Sequence, residues 1–315
     1  MRKILLHSIL FISISFQLKS QELFPHVDPA SNIPKGVAAI RIINEGFNEV
    51  NQFRFAQRYR FMFGITSKLM ASVSFNLSNK HAGNYADNFI AYHNSIGYHT
   101  HGIKNGGKYP FIYNSFTANM RYRFLSVDGT KSHFRMVAYA ELSSGKGAHA
   151  IAEPDLMGST SGAAVGMTAT KLKNRFAISG TIGGIFPQQH NEALSDSIII
   201  GIKHGKAFNY SLSMGLLCLP LKYKDYKQTN VNIYAEFIGK AYKGAKIYRN
   251  GEEVLIDHVP ALGKGNYMEF RPSVQFIFDS NLRVDLSYGM PIYNRSYMHT
   301  SPVYFITIQR YFYSK

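Results

Sequence analysis

The sequence predicts an all-β fold, an antiparallel up-and-down transmembrane barrel of about 12 strands, with 14 as the alternative. Three observations point there. Along residues 52–79 (QFRFAQRYRFMFGITSKLMASVSFNLSN), Phe53, Phe55, Tyr59, Phe61 and Phe63 share one parity, and Arg54, Ala56, Arg58, Arg60 and Met62 the other. Side chains alternate faces along a strand, so an aromatic face opposes a polar, partly cationic one. The same alternation recurs in segments of about ten residues, the length a strand needs to cross a bilayer. The connections alternate between short and long, as in barrels whose turns lie on one side of a membrane and whose loops lie on the other.

The first residues read as an export address. Arg2 and Lys3 precede an apolar run at 4–16 (ILLHSILFISISF), and a polar stretch follows at 17–22. This predicts a signal peptide over residues 1–20, cut between Ser20 and Gln21, since the apolar run is too short to span a bilayer comfortably. No later stretch reaches the apolar length of a transmembrane helix, yet the chain is 45% hydrophobic, with 23 Phe, 21 Tyr and no Trp spread along it. Its single cysteine, Cys218, excludes an intramolecular disulfide framework. Stability then falls to backbone pairing and packing, which a closed barrel supplies because every strand finds a neighbour. A net charge of +16 would suit nucleic acid. The arginines, however, alternate with aromatics along strands instead of forming a block, and an exported protein rarely meets nucleic acid. Outer-membrane lipid head groups, or anionic solutes in a pore, are the expected partners of that charge, and nucleic acid is not.

Residues 21–36 form a lead-in bearing Pro and Asn, expected as a periplasmic N-terminal arm ahead of a single barrel domain over 37–315. Residues 37–44 (VAAIRIIN) are a first short strand, and the hairpin at 52–79 turns at 64–68. Residues 79–110 lack alternation and are rich in Gly, Asn, His and Tyr, which suits a long external loop. The pattern resumes at 111–124, where Phe116, Ala118, Met120, Tyr122 and Phe124 oppose Ser115, Thr117, Asn119, Arg121 and Arg123. Asp128-Gly129 centres a turn, and 133–142 returns. After a Gly- and Ser-rich loop at 143–161, residues 162–172 and 175–186 form a second tight hairpin around Lys173-Asn174. Residues 197–203, 208–219 and 230–239 are further strands, and 241–265 is a loop containing a small hairpin at 249–252. Residues 267–278 and 282–290 form a third tight hairpin about 279–281, a long connection spans 291–301, and 302–313 (PVYFITIQRYFY) is the closing strand. This raw count is about 13, whereas a single-chain bacterial barrel takes an even number. Either one segment between 187 and 230 lies off the wall, or 37–44 is only lead-in.

Residues 232–239 (NIYAEFIG), 270–276 (FRPSVQF) and 283–291 (RVDLSYGMP) together resemble the C-terminal part of transporter-like outer-membrane barrels grouped with the meta-pathway phenol-degradation proteins. In that family a strand carrying Ala-Glu precedes a Pro-started strand, a tight turn and a strand ending in Pro. The resemblance covers the last quarter of the chain and implies a passive channel role, with no catalytic residues to carry over. The aromatic final strand likewise resembles the closing strand that such barrels present to their insertion machinery, although the last residue is Lys315.

Inward-facing charge is the sharpest site signal. Arg54, Arg58 and Arg60 share the polar face of one strand, and Arg121 and Arg123 that of another. Such a cluster would attract anions and offer planar, two-pronged donors to carboxylate or phosphate. The contrasting reading pairs them with Glu141, Glu236, Glu269 and Asp285 as a structural network filling a narrow barrel. The candidate solute-contacting set is therefore Arg54, Arg58, Arg60, Arg121, Arg123, Glu141 and Glu236. His99 and His101 could face one way and form a weak alternative metal site, but no nearby Cys, and no carboxylate beyond Asp87, completes a ligand set. Residues 92–97 (YHNSIG) superficially resemble the Tyr-X-His-X-Ser-Asn-Gly pattern of outer-membrane phospholipases. They lack its Asn-Gly, and nothing orients His93 on Ser95. No catalytic residue, metal or cofactor is expected.

The reading is an outer-membrane barrel of a Gram-negative-type bacterium that passes small solutes, anionic ones included. A non-conducting barrel with a filled lumen is the alternative, and a lipid-modifying enzyme is third.

Overall fold

The structure is a computed structural model that describes residues 23–49, 52–79, 112–145, 152–195, 197–222, 225, 227–255, 259–297 and 299–313. β1 (Val37–Glu49), β2 (Gln52–Gly64), β3 (Leu69–Ser78), β4 (Ile112–Asp128), β5 (Ser132–Gly145), β6 (Gly162–Lys173) and β7 (Phe176–Pro187) each pair antiparallel with the next. The chain then leaves the wall as β8 (His190–Ser195) and β9 (Ile198–Lys203), and returns as β10 (Ala207–Leu219) between β7 and β11 (Asn230–Tyr242). It leaves again as β12 (Lys246–Arg249) and β13 (Glu252–Val254), before β14 (Gly265–Phe278) pairs with β11. β15 (Leu282–Tyr288) and β16 (Met290–Asn294) both run back along β14, interrupted at Gly289. β17 (Tyr304–Tyr313) pairs with β15 and closes on β1, from Val37↔Tyr313 to Gly46↔Tyr304.

The wall is thus a closed ring of 12 strands, β15 and β16 forming one. Closure satisfies the backbone groups of every strand and removes the edges that would otherwise recruit other chains. The surplus strand of the sequence count is 198–203. It is a strand, but it pairs with β8 and β12 in a separate four-stranded sheet beyond the wall. Residues 37–44 belong to a full wall strand, longer than expected because its register with β2 continues to Glu49↔Gln52. Part of the expected long connection at 291–301 is also strand, since Pro291, Tyr293 and Asn294 pair along β14.

The four connections expected to be short all fall at one end of the ring, where β1 begins and β17 ends. Backbone conformation fits them: Asn174, Asp279 and Ser280 sit at φ 54°, 49° and 52°, left-handed positions that tight hairpin turns require. Asn250 and Gly251 do the same for the small β12–β13 hairpin, at φ 50° and 88°.

Burial on the wall is inverted relative to a fold that lives in water. Ser74, Asn76, Thr168, Ser213, Gln275 and Gln309 are buried, while Phe75, Val165, Ile182, Leu212, Ile233 and Ile308 are exposed. Ile182 is 56% exposed and Gln309 0%. An apolar band of this kind is unfavourable in water by about 25 cal/mol per Å² and is at ease only in hydrocarbon. The polar face therefore points into the lumen, as the strand parities predict.

Candidate functional site

Eight strands make a barrel that inward side chains can fill, and wider ones leave room for a passage or a plug. With 12 strands this lumen has such room, and residues 23–36 run inside it. The chain reaches β1 across the short-turn end, where Gly36 N–H donates to Gly64 O at 3.0 Å. Gly64 is needed there, because a Cβ on it would lie 1.9 Å from Pro34 O. Beyond this point the arm crosses the lumen, and the wall supplies partners for its backbone. Asn32 Nδ2 donates to Lys68 O at 2.7 Å, and Ala30 N–H to Thr170 Oγ1 at 2.8 Å. The Glu236 carboxylate accepts His26 N–H at 3.0 Å and Val27 N–H at 3.1 Å. Arg283 donates to Phe24 O at 2.9 Å, and Arg41 to Pro25 O. Phe24 is 0% exposed and packs edge-on against Tyr234, with ring centroids 5.5 Å apart.

Asp28 is the electrostatic centre of this seat. Arg60 grips it with two parallel bonds, Nη1 to Oδ1 at 2.8 Å and Nη2 to Oδ2 at 2.7 Å. Arg121 Nη1 lies 3.1 Å from Oδ2, and Arg41 Nη1 lies 3.9 Å from Oδ1. Arg121 also donates to Pro29 O. Two-pronged guanidinium–carboxylate pairs are among the stronger polar contacts available and fix geometry as well as energy.

A second cluster tightens the long-loop end. Residues 152–161 fold over the mouth, with Ala152 and Leu156 packed on Ala164, Ile185, Ala207 and Tyr242. Glu153 in this loop meets Lys240 Nζ at 2.9 Å. His299, from the connection before β17, stacks on Tyr267 with centroids 3.4 Å apart. Its Nδ1 lies 3.2 Å from Glu153 Oε2, and its Nε2 lies 2.9 Å from Glu269 Oε1. Two carboxylates facing both ring nitrogens call for two donors, which the imidazolium provides. Burial alone would lower His299, but its bonds to Glu153 and Glu269 outweigh this and raise its pKa. Burial would raise Glu153, but Lys240 and His299 prevail and hold it at about 2.

The residues singled out by sequence divide accordingly. Arg60, Arg121 and Glu236 come together on the arm. Arg58 donates to Asn76 at 2.8 Å, with Glu45 3.9 Å away, and Glu141 accepts from Asn119 at 3.3 Å. Arg54 is buried toward the long-loop end, donating to Asn79 O at 3.2 Å. Arg123 lies at the short-turn rim on Ser67 O at 2.6 Å. Of the acids weighed as arginine partners, Glu269 pairs with Arg271 and Asp285 with Arg283. Arg60 and Arg121 use the arm's Asp28 instead. His93, Ser95, His99 and His101 lie outside the described residues. Sequence reading missed Asp28, Arg41, Arg283 and the Glu153–His299 clamp. Arg41 had a signal, its inward parity in VAAIRIIN; the clamp had none, since it joins residues 146 positions apart.

No known protein family matches the chain, and no curated protein is found as its relative. Solved structures do match. An outer membrane channel from Pseudomonas putida F1 aligns over 91% of this chain and 100% of its own, at 12% identity and a TM-score of 0.52. The KdgM porin aligns over 88% and 99%, at 8% identity and a TM-score of 0.42. OprD from Pseudomonas aeruginosa aligns over 93% and 98%, at 7% identity and a TM-score of 0.37. Identity at this level speaks to fold alone, and the likeness of the last quarter to the phenol-degradation group rests on its motifs. The chain has the fold of the bacterial outer-membrane β-barrels.

Proposed function

We propose that the protein is a plugged channel in the outer membrane of a Gram-negative-type bacterium, which passes small solutes, anionic ones included, when residues 23–36 leave the lumen. Insertion into the outer membrane would follow export and removal of the signal peptide, with the insertion machinery and outer-membrane lipids as its other partners. The observation that carries the reading is the chemistry of the arm's seat. Apart from Leu23 and Phe24 against Ala177 and Tyr234, the His26 ring edge-on to Phe305, and the Ile33 cluster at the short-turn end, the arm is held by hydrogen bonds and ion pairs to the lumen wall. Water or solute can replace such contacts, whereas an apolar core resists that exchange.

The same filling supports a second reading, a permanently closed barrel whose outer loops do the work. Conductance separates the two. Purified full-length protein in planar bilayers should show discrete, intermittent openings. Folded protein that never conducts at any voltage would leave the closed barrel standing.

A further inference from the structure

Asp28 sits where three wall guanidiniums converge on a single carboxylate. We propose that the Arg41, Arg60 and Arg121 set is a binding site for the carboxylate of a small organic acid, which takes the place of Asp28 as the arm withdraws. The inference rests on the channel reading and names the solute class for it.

Three observations lead there. The first is charge. These three guanidiniums converge on one arm carboxylate. The wall acid Asp285 stands 3.9 Å from Arg41 and is itself engaged by Arg283 at 2.8 and 2.9 Å. The second is burial. Arg41 and Arg121 are 2% and 3% exposed, so taking Asp28 away without replacement would strip compensating negative charge from buried cations, which is unfavourable. The arm is therefore exchanged for an anion more readily than it simply departs. The third is shape. Arg60 presents a planar fork to both oxygens of Asp28, a grip that a carboxylate reproduces and a chloride ion cannot. The guanidiniums of Arg41 and Arg121 also hold Pro25 O and Pro29 O. An acid with a further acceptor, such as a second carboxylate, replaces more of what the arm provides.

Hydrogen exchange on the full-length protein tests this, read at the amides of His26, Val27 and Ala30. Sodium succinate should accelerate their exchange saturably, by about tenfold or more, while sodium chloride at equal ionic strength and the neutral four-carbon erythritol should not. Arg60→Gln should raise basal exchange and abolish the succinate response. Asp28→Asn, which loosens the arm but keeps all three arginines, should pass succinate faster than erythritol in vesicle-swelling assays. If succinate has no effect on the wild type, and Asp28→Asn vesicles pass both solutes equally, the carboxylate site is overturned and the channel reading stands. If Asp28→Asn vesicles pass neither, both fail. Should that variant not fold, the wild-type exchange measurement decides on its own.

Discussion

Glu236 and His26 are 210 residues apart in sequence, and the carboxylate of one accepts the backbone N–H of the other at 3.0 Å inside the barrel. The second oxygen of Glu236 accepts Val27 N–H at 3.1 Å and Ser213 Oγ–H at 3.0 Å. A fully buried carboxylate spent on the arm's backbone ties the closed state to one side chain. Glu236→Gln, which loses the charge and one acceptor, should weaken the seat by about 1–2 kcal/mol. That corresponds to roughly a 5–30-fold shift toward arm-out. Open probability in planar bilayers should rise accordingly, with heat-modifiable migration unchanged.

Gly64 offers a steric version of the same test. A methyl at this position would meet Pro34 O at 1.9 Å and Ile33 O at 2.6 Å, both backbone atoms that cannot step aside singly. Gly64→Ala should displace the stem of the arm. Faster amide exchange at Ile33, Lys35 and Gly36 would show it, whereas unchanged protection would mean that the stem is held elsewhere.

The mouth clamp should respond to pH with a definite sign. His299 has a raised pKa, so its contribution is complete below its ordinary value of 6.5 and is lost as pH rises through the higher folded value. Glu153 is lowered from 4.5 to about 2, so its contribution is present above 4.5 and is lost only as pH falls toward 2. Lys240, Glu269, Arg271 and Tyr267 also surround the clamp; Lys240 holds Glu153 and Arg271 holds Glu269. The loops at 152–161 and 295–303 should thus be tightest between the ordinary Glu and His values and loosen on the alkaline side. Proteolysis of these loops followed against pH should show that rise. His299→Gln should flatten it.

The two faces of the wall should tolerate charge very differently. Leu212, 44% exposed on the outer face of β10, becomes costly as Leu212→Arg, by about 2–4 kcal/mol near the bilayer midplane. Two strands along the wall, on β6, the inward Thr168→Ser should change stability by well under that. Urea unfolding in lipid vesicles compares the two.

Much of the wall was legible in the sequence because alternation is a local property. Phe116 to Phe124 against Ser115 to Arg123 fixed faces without any knowledge of neighbours, and Asp128-Gly129 and Asn174 marked turns by their own conformational preferences. What misled was strand length and membership. Residues 198–203 carry strand residues, yet they pair with β12 across the intervening β10 and β11, a choice made by partners distant in sequence. The arm was harder still. Nothing in FPHVDPASNIP says that Asp28 will meet Arg41, Arg60 and Arg121, because that meeting depends on the lumen width that the whole ring sets. Arg60 and Arg121 were visible as inward charges; their partner became visible only once the barrel closed around it.

The most direct test removes the plug and leaves the wall. Single-channel recordings should compare the full-length protein with a variant lacking residues 23–33, both shown to be folded by heat-modifiable migration. The full-length protein should open briefly and seldom, and the shortened one should hold a larger, steady conductance. A folded, shortened barrel that conducts no more than the full-length protein would contradict the account.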